Sequence, residues 1–423
     1  MELNKIAKIC RVSTETWEPE VWDQLDRRKD KVDKDGELKE PGRPFAKISN
    51  AVKVLIYDTR WKGRIRYNEF SNVVEVDGVE IIDENETGIA MWLDRVYGLE
   101  ITTPKAAEAV RYVAKKQPCH PVRDYLEEVQ WDGKVRVDRL FQDYFGCRDS
   151  KLYEEIARRW LIGMVARIFQ PGCKVDTVVI LAGPQGIMKS TALKTMAVRD
   201  EWFSDSALDM RSKDAYQAIS GGVWIYELAE LASIRPRDAE TVKAFLSSRQ
   251  DRFRPAYGRN MVTRKRQTVF AGTTNEAEFL SDNTGNRRWH VIKCGQVNIP
   301  KLGADIAQIW AEAVALYRNN ERWWLDASAS FELEEAQQEF RQQDSWEIAI
   351  QKWVMTQVGE FTVWEVLEKA IGKESQNQTK SDCMRVAAIL RSLDCVKGRR
   401  SRINGRLVYP WKKPGAEQQT IGG

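Results

Sequence analysis

The stretch Gly183, Pro184, Gln185, Gly186, Ile187, Met188, Lys189, Ser190, Thr191 carries residue types that bind phosphate. Backbone N–H groups of a glycine-rich turn, with the positive end of a following helix, hold phosphate oxygens. Lys189 is placed to reach the β- and γ-phosphates of ATP, and the Ser190 hydroxyl to ligate Mg²⁺, so ATP and Mg²⁺ are the expected cofactors. The pattern G-x-x-x-x-G-K-[ST] fits at Gly183, Lys189 and Ser190, with Met188 in place of the second glycine. That glycine permits an unusual backbone conformation or close packing. Gly183 and Gly186 still supply the cradle, so the loop is read as a working site.

A phosphate loop needs acidic partners at the tip of a neighbouring strand. "VWIYELAEL" supplies four apolar residues, then Glu227, then Glu230. Such a carboxylate holds Mg²⁺ or orients the attacking water; Glu227 takes the Walker B position and the metal, and Glu230 is the second candidate. The run "TVFAGTTN" ends in Thr273, Thr274 and Asn275, and Asn275 is the polar residue expected to orient water. Arg287 and Arg288 precede a further apolar run, a placement that suits an arginine finger or, equally, a structural ion pair.

Elements must position these groups. Leu152, Ile156, Trp160, Met164 and Ile168 recur every four residues and predict a helix that "QPG" ends. "TVVILAG" (177–183) reads as a buried parallel strand, and "KSTALKTMA" starts a helix. "GVWIYEL" (222–228), "QTVFAGTTN" (267–275) and "RWHVIKC" (288–294) predict further strands, and residues 302–318 a helical lid. Strands alternating with helices indicate an α/β fold with a parallel sheet. The expected domains are a charged, partly flexible segment (1–44), an α+β accessory unit (45–118), the core with its lid (119–342) and a terminal unit (343–423). In the accessory unit, 61–76 looks extended and 102–117 helical. The terminal unit reads as two amphipathic helices followed by strands around Asn404-Gly405, the order of a winged helix.

The chain of 423 residues is 43% hydrophobic and 30% charged, enough for several packed units. No apolar run approaches the ~20 residues of a membrane span and no signal-peptide pattern opens the chain, so a cytoplasmic location is expected. Seven scattered cysteines and two histidines argue against a disulfide framework or a zinc site. The net charge is only +4, yet residues 243–267 hold eight Lys/Arg against one Asp, and residues 373–413 eleven against three acids. Two basic segments on an acidic body point to a polyanion such as DNA.

Order and spacing resemble AAA+ ATPases with a superfamily 3 helicase flavour. More closely, "HPVRDYLEEVQWDGKVRVDRL", "RRWLIGMVARIFQPGCKVDTVVILAGPQGIMKST", "YELAEL", "ETVKAFLSSRQDRFRPAYGR", "FAGTTNEAEFLSDNTGNRRWHVI" and "IAQIWAEAVALY" resemble the virulence-associated protein E family of phages and mobile elements. The resemblance spans roughly residues 45 to 410. It implies an AAA+ P-loop core and an ATP-dependent DNA helicase or replication initiator. Subunits would form a ring, hexameric, with ATP between neighbours and Arg287 or Arg288 acting on the neighbour's γ-phosphate. A pore hairpin is implied at 243–267, with Arg252, Arg254, Tyr257, Arg259, Arg264, Lys265 and Arg266 on single-stranded DNA and Tyr257 or Phe253 stacking on a base. Arginines there equally suit a subunit interface. The winged helix would contact duplex through Arg399, Arg400, Arg402 and Arg406. Priming would need a separate primase or other replication protein. The alternatives are an initiator or loader that remodels DNA without unwinding it, and a DNA-binding regulator with a vestigial P-loop.

Overall fold

The computed structural model describes residues 17–212, 214–229, 239–254, 261–275, 288–326, 329, 331–333, 345–403 and 406–413. The first unit builds on a sheet in which the hairpin β3 (Ile65–Asn68) and β4 (Val73–Val76) is extended by β5 (Val79–Glu80) and by β6 (Pro118–Cys119), which pairs parallel with β3. Helix Thr103–Lys115 packs on it, and helices Ile48–Tyr57 and Asp83–Tyr97 pack against that helix. Their apolar faces close a core around Trp61, Trp92, Leu93 and Val110. The helix expected over 102–117 begins with Pro104 in its first turn, where a missing N–H costs nothing.

Residues 17–44, within the charged segment expected over 1–44, pack on this unit. Helix Pro19–Trp22 puts Val21, Trp22 and Leu25 into the same core. Buried Asn50 accepts from the Asp26 N–H and donates to the carbonyls of Asp26 and Phe45. The charged run forms an exposed antiparallel hairpin, β1 (Lys31–Val32) with β2 (Leu38–Glu40), whose turn is set by Asp33 accepting from the Asp35 and Glu37 N–H groups.

The core is the expected parallel sheet. β7 (Val178–Ala182), β8 (Phe203–Ser204), β9 (Ile225–Ala229), β12 (Val269–Thr274) and β13 (Trp289–Lys293) lie in the order β13-β7-β12-β9-β8, every neighbour parallel. Side chains alternate along β7. Val179 and Leu181 pack with helices Lys151–Phe169 and Ile299–Arg318, while Val178, Ile180 and Ala182 face helices Asp214–Ile219 and Ala239–Ser247. All five residues of the four-residue repeat from Leu152 to Ile168 are buried. Between β9 and β12 the chain leaves the sheet as an antiparallel hairpin, β10 (Gln250–Phe253) with β11 (Val262–Lys265).

The C-terminal part has its own core of Ile350, Val354, Val366, Leu367, Leu390 and Trp411. Helices Val363–Lys369 and Lys380–Ser392 each start with a capping box, Thr362 with Glu365 and Thr379 with Asp382, worth about 1 kcal/mol apiece. Helix Glu347–Thr356 precedes them, and strands β14 (Val396–Lys397) with β17 (Trp411–Lys412) flank the hairpin β15 (Ser401–Ile403) and β16 (Arg406–Val408). No helix among the described residues is long and apolar enough to cross a membrane.

Candidate functional site

β7 ends at Ala182, and the loop Gly183–Met188 carries the chain to the helix Lys189–Met196. Gly183 is obligatory. A Cβ there would lie 2.8 Å from the Cys294 carbonyl oxygen and 2.9 Å from Ile187 Cδ1. Gly186 (φ +86°) and Met188 (φ +70°) are both left-handed. Met188 therefore holds the conformation for which the motif keeps its second glycine, at a cost of about 1 kcal/mol. Its side chain is exposed. Pro184 and Gln185 are exposed, while Ile187 and Thr191 are half-buried at the two ends of the turn.

Because β12 lies between β7 and β9, the tips of three strands converge on the start of this helix. The Lys189 amine donates to the carbonyls of Gly183 (2.8 Å) and Pro184 (2.9 Å) and to Asn275 Oδ1 (2.9 Å). Burial pulls its pKa below the ordinary lysine value, opposed by the nearby Cys294 and Glu227. The Ser190 hydroxyl donates to Glu227 Oε1 at 2.7 Å, and Thr273 Oγ1 donates to the same oxygen at 2.5 Å. Glu227 is 2% exposed, and among the described residues its buried Oε2 has no hydrogen-bond partner. An ionised carboxylate with one oxygen left bare in the interior is costly, and such an atom suits a cation as a further ligand. Lys189, Ser190, Glu227 and Asn275 are thus brought together. Thr273 joins them; the polar Thr-Thr-Asn tip of the strand was its signal, but nothing local said that Thr273 would face Glu227.

Glu230 and Arg287 lie outside the described residues. Arg288 is turned onto its own chain: Nε donates to Ser247 Oγ at 3.1 Å and stands 3.8 Å from Asp176. These are the bonds of the structural alternative and do not bring it to the Lys189 cluster.

The basic hairpin divides by the two-residue period of its strands. Arg252, Arg254 and Lys265 are exposed and Arg264 is half-buried. Arg266, expected on DNA, is fully buried and is corrected to a brace. Its Nε donates to Asp251 Oδ1 (3.0 Å) and Oδ2 (3.2 Å), and Nη1 donates to the Phe245 carbonyl (2.5 Å). Phe253, offered for stacking, is buried as well, because Asp251 and Phe253 share the inward face. The hairpin base is further tied by Arg249 Nε to the Gly172 carbonyl (2.8 Å) and by the Gly172 N–H to the Arg266 carbonyl (2.9 Å). Tyr257 and Arg259 fall outside the described residues. Arg399 and Arg400 are exposed, and Arg402 and Arg406 lie on the paired strands β15 and β16, with their side chains outside the description.

Among the described residues, no three His, Cys, Asp or Glu side chains gather as a metal cluster. The family model described as the virulence-associated protein E-like domain matches residues 126–342. Solved structures similar to the chain include two of the apo NrS-1 C-terminal region. Each is 14% identical, covering 68% of this chain and 78% of the other, with TM-scores of 0.41 and 0.40. No curated protein matches the chain.

Proposed function

Because the chain belongs to the virulence-associated protein E-like family of phages and mobile elements, we propose that it is an ATP-dependent DNA helicase or replication initiator. In this reading residues 119–342 are an AAA+-type P-loop core and the C-terminal part is a winged helix. The observation that carries the reading is the convergence of Lys189, Ser190, Glu227 and Asn275 from three adjacent elements within hydrogen-bond distance. Gly183 to Thr191 bind the phosphates, with Lys189 leaving its loop carbonyls for phosphate oxygens. Ser190 and Glu227 would hold Mg²⁺, which supplies charge neutralisation to the phosphates. The bare Glu227 Oε2 and the adjacent hydroxyl fit that ion. Asn275 orients the attacking water, and Glu230 is the second candidate to accept its proton. Arg252, Arg254, Arg264 and Lys265 contact the backbone of single-stranded DNA, and Arg399 and Arg400 that of duplex.

Hydrolysis is assigned to interfaces of a homo-oligomeric ring in the cytoplasm of the bacterial host, with Arg287 or Arg288 acting across them. The inward bonds of Arg288 favour a second reading, in which no arginine reaches a neighbour and the protein is a DNA-binding regulator with a vestigial P-loop. Steady-state ATP hydrolysis with and without single-stranded DNA tests the two, comparing wild type with Lys189→Ala. DNA-stimulated turnover that the substitution abolishes is expected. A wild type that binds DNA but hydrolyses nothing overturns the motor and leaves the regulator.

A further inference from the structure

The N-terminal unit has no part in the reading above, yet it meets the core along a cleft of ≈ 340 Å³ at the base of the β10–β11 hairpin. One wall is Tyr67 and Glu69 of the N-terminal unit with His120 and Arg123, which follow directly on its strand β6, and the other includes Arg264 and Lys265 of β11. The two walls are joined by His120 Nε2 and Gln267 Oε1 at 2.6 Å. Since His120 Nδ1 accepts the Arg123 N–H, the imidazole proton sits on Nε2 and donates to Gln267. Burial, the main influence, holds that imidazole below its ordinary pKa, so the floor is neutral.

The charges facing the cleft are unequal. Asp251 is spent on buried Arg266. Arg123 stands 3.7 Å from Glu69 in a pair exposed to water, and such pairs are worth little. Among the described residues, neither Arg264 nor Lys265 is held in an ion pair. What remains is a cationic cleft with the half-buried ring of Tyr67 on one side. Its volume is that of a small-ligand pocket, at the low end of about 300–1,000 Å³, which suits one nucleotide of an unpaired strand and excludes duplex. It is also continuous with the hairpin, since Arg264 and Lys265 belong to both.

We propose that this cleft binds single-stranded DNA, with Arg123 and Arg264 on a backbone phosphate and Tyr67 against a base, so that the N-terminal unit completes the strand path that starts on the hairpin. The proposal rests on the reading of DNA as partner. Stacking on an aromatic ring beside a basic track is how unpaired strands are held without sequence preference.

The test is fluorescence anisotropy of a labelled oligothymidylate titrated with the full chain across a salt series. Arg123→Glu should weaken binding about tenfold and lower the salt slope by about one. Glu69→Gln, which frees Arg123, should tighten binding. Thermal melts check that both variants fold, as loss of an exposed pair predicts. If both bind like wild type while Arg252→Glu loses affinity, the strand follows the hairpin alone and the cleft proposal falls. A wild type that binds no oligothymidylate overturns the DNA partner itself, a separate failure.

Discussion

Two buried carboxylates of the core, Glu227 on β9 and Asp251 on β10, stand within one fold and are treated in opposite ways. Both oxygens of Asp251 are taken by the Arg266 guanidinium, which also bonds the Phe245 carbonyl and lies over the rings of Phe245 and Phe270. Glu227 has two hydroxyl donors on one oxygen and, among the described residues, none on the other. A completed ion pair in the interior is a structural device, since each partner offsets the desolvation of the other. An incomplete carboxylate is a site held ready for something else. The same chemical group is a closed brace in one place and an open acceptor in the other, and only its hydrogen bonds tell them apart.

Breaking the brace should have the largest effect. Asp251→Ala leaves Arg266 charged, buried and unpaired, and should cost about 3–5 kcal/mol of unfolding free energy by chemical denaturation. Glu227→Gln should do the reverse. Neutralising a carboxylate with a bare oxygen should leave stability unchanged or raised, while ATP turnover falls by about 10²–10³ with nucleotide binding kept. A Glu227→Gln variant as unstable as Asp251→Ala would erase the distinction. A smaller effect is expected at the loop, where Met188→Gly relieves a left-handed residue. It should raise the unfolding free energy by up to about 1 kcal/mol, read as a higher melting temperature.

The smallest effect concerns pH. Burial lowers the His120 pKa in the folded state below its ordinary value of about 6.5. The unfolded chain then binds a proton that the folded chain refuses, so this contribution is fully present above about pH 6.5 and is lost as pH falls toward the folded value. Wild type should lose more unfolding free energy between pH 7.5 and pH 5.5 than His120→Asn does.

The strand frame was legible because parallel strands buried on both faces are continuous apolar runs, and each of the four expected in the core is present. β8, only two residues long, left no such run. Lys189 and Ser190 were legible because loop chemistry is local. Arg266 was not. It differs from Arg264 by two positions in an arginine-rich run, and its burial depends on Asp251, fifteen residues earlier. Helix Glu347–Thr356 was missed because only Ile350 and Val354 are buried along it, too few to set a period. The docking of Val21, Trp22 and Leu25 was hidden by the charged hairpin that follows them. The chemical reason for a glycine at position 188 was anticipated, but the left-handed angle that methionine adopts there is a property of the folded loop.

β12 sets the spacing between two distant places in the core. The chain enters it from Arg266 and Gln267, which touch the hairpin base and the N-terminal wall, and leaves it at Thr273 and Asn275, which touch Glu227 and Lys189. Its six residues span about 20 Å and are clamped by parallel ladders on both sides. A strand gripped in this way cannot slide against its neighbours without breaking both ladders. The hairpin base and the Lys189 cluster are therefore held apart by one strand length that the sheet keeps fixed.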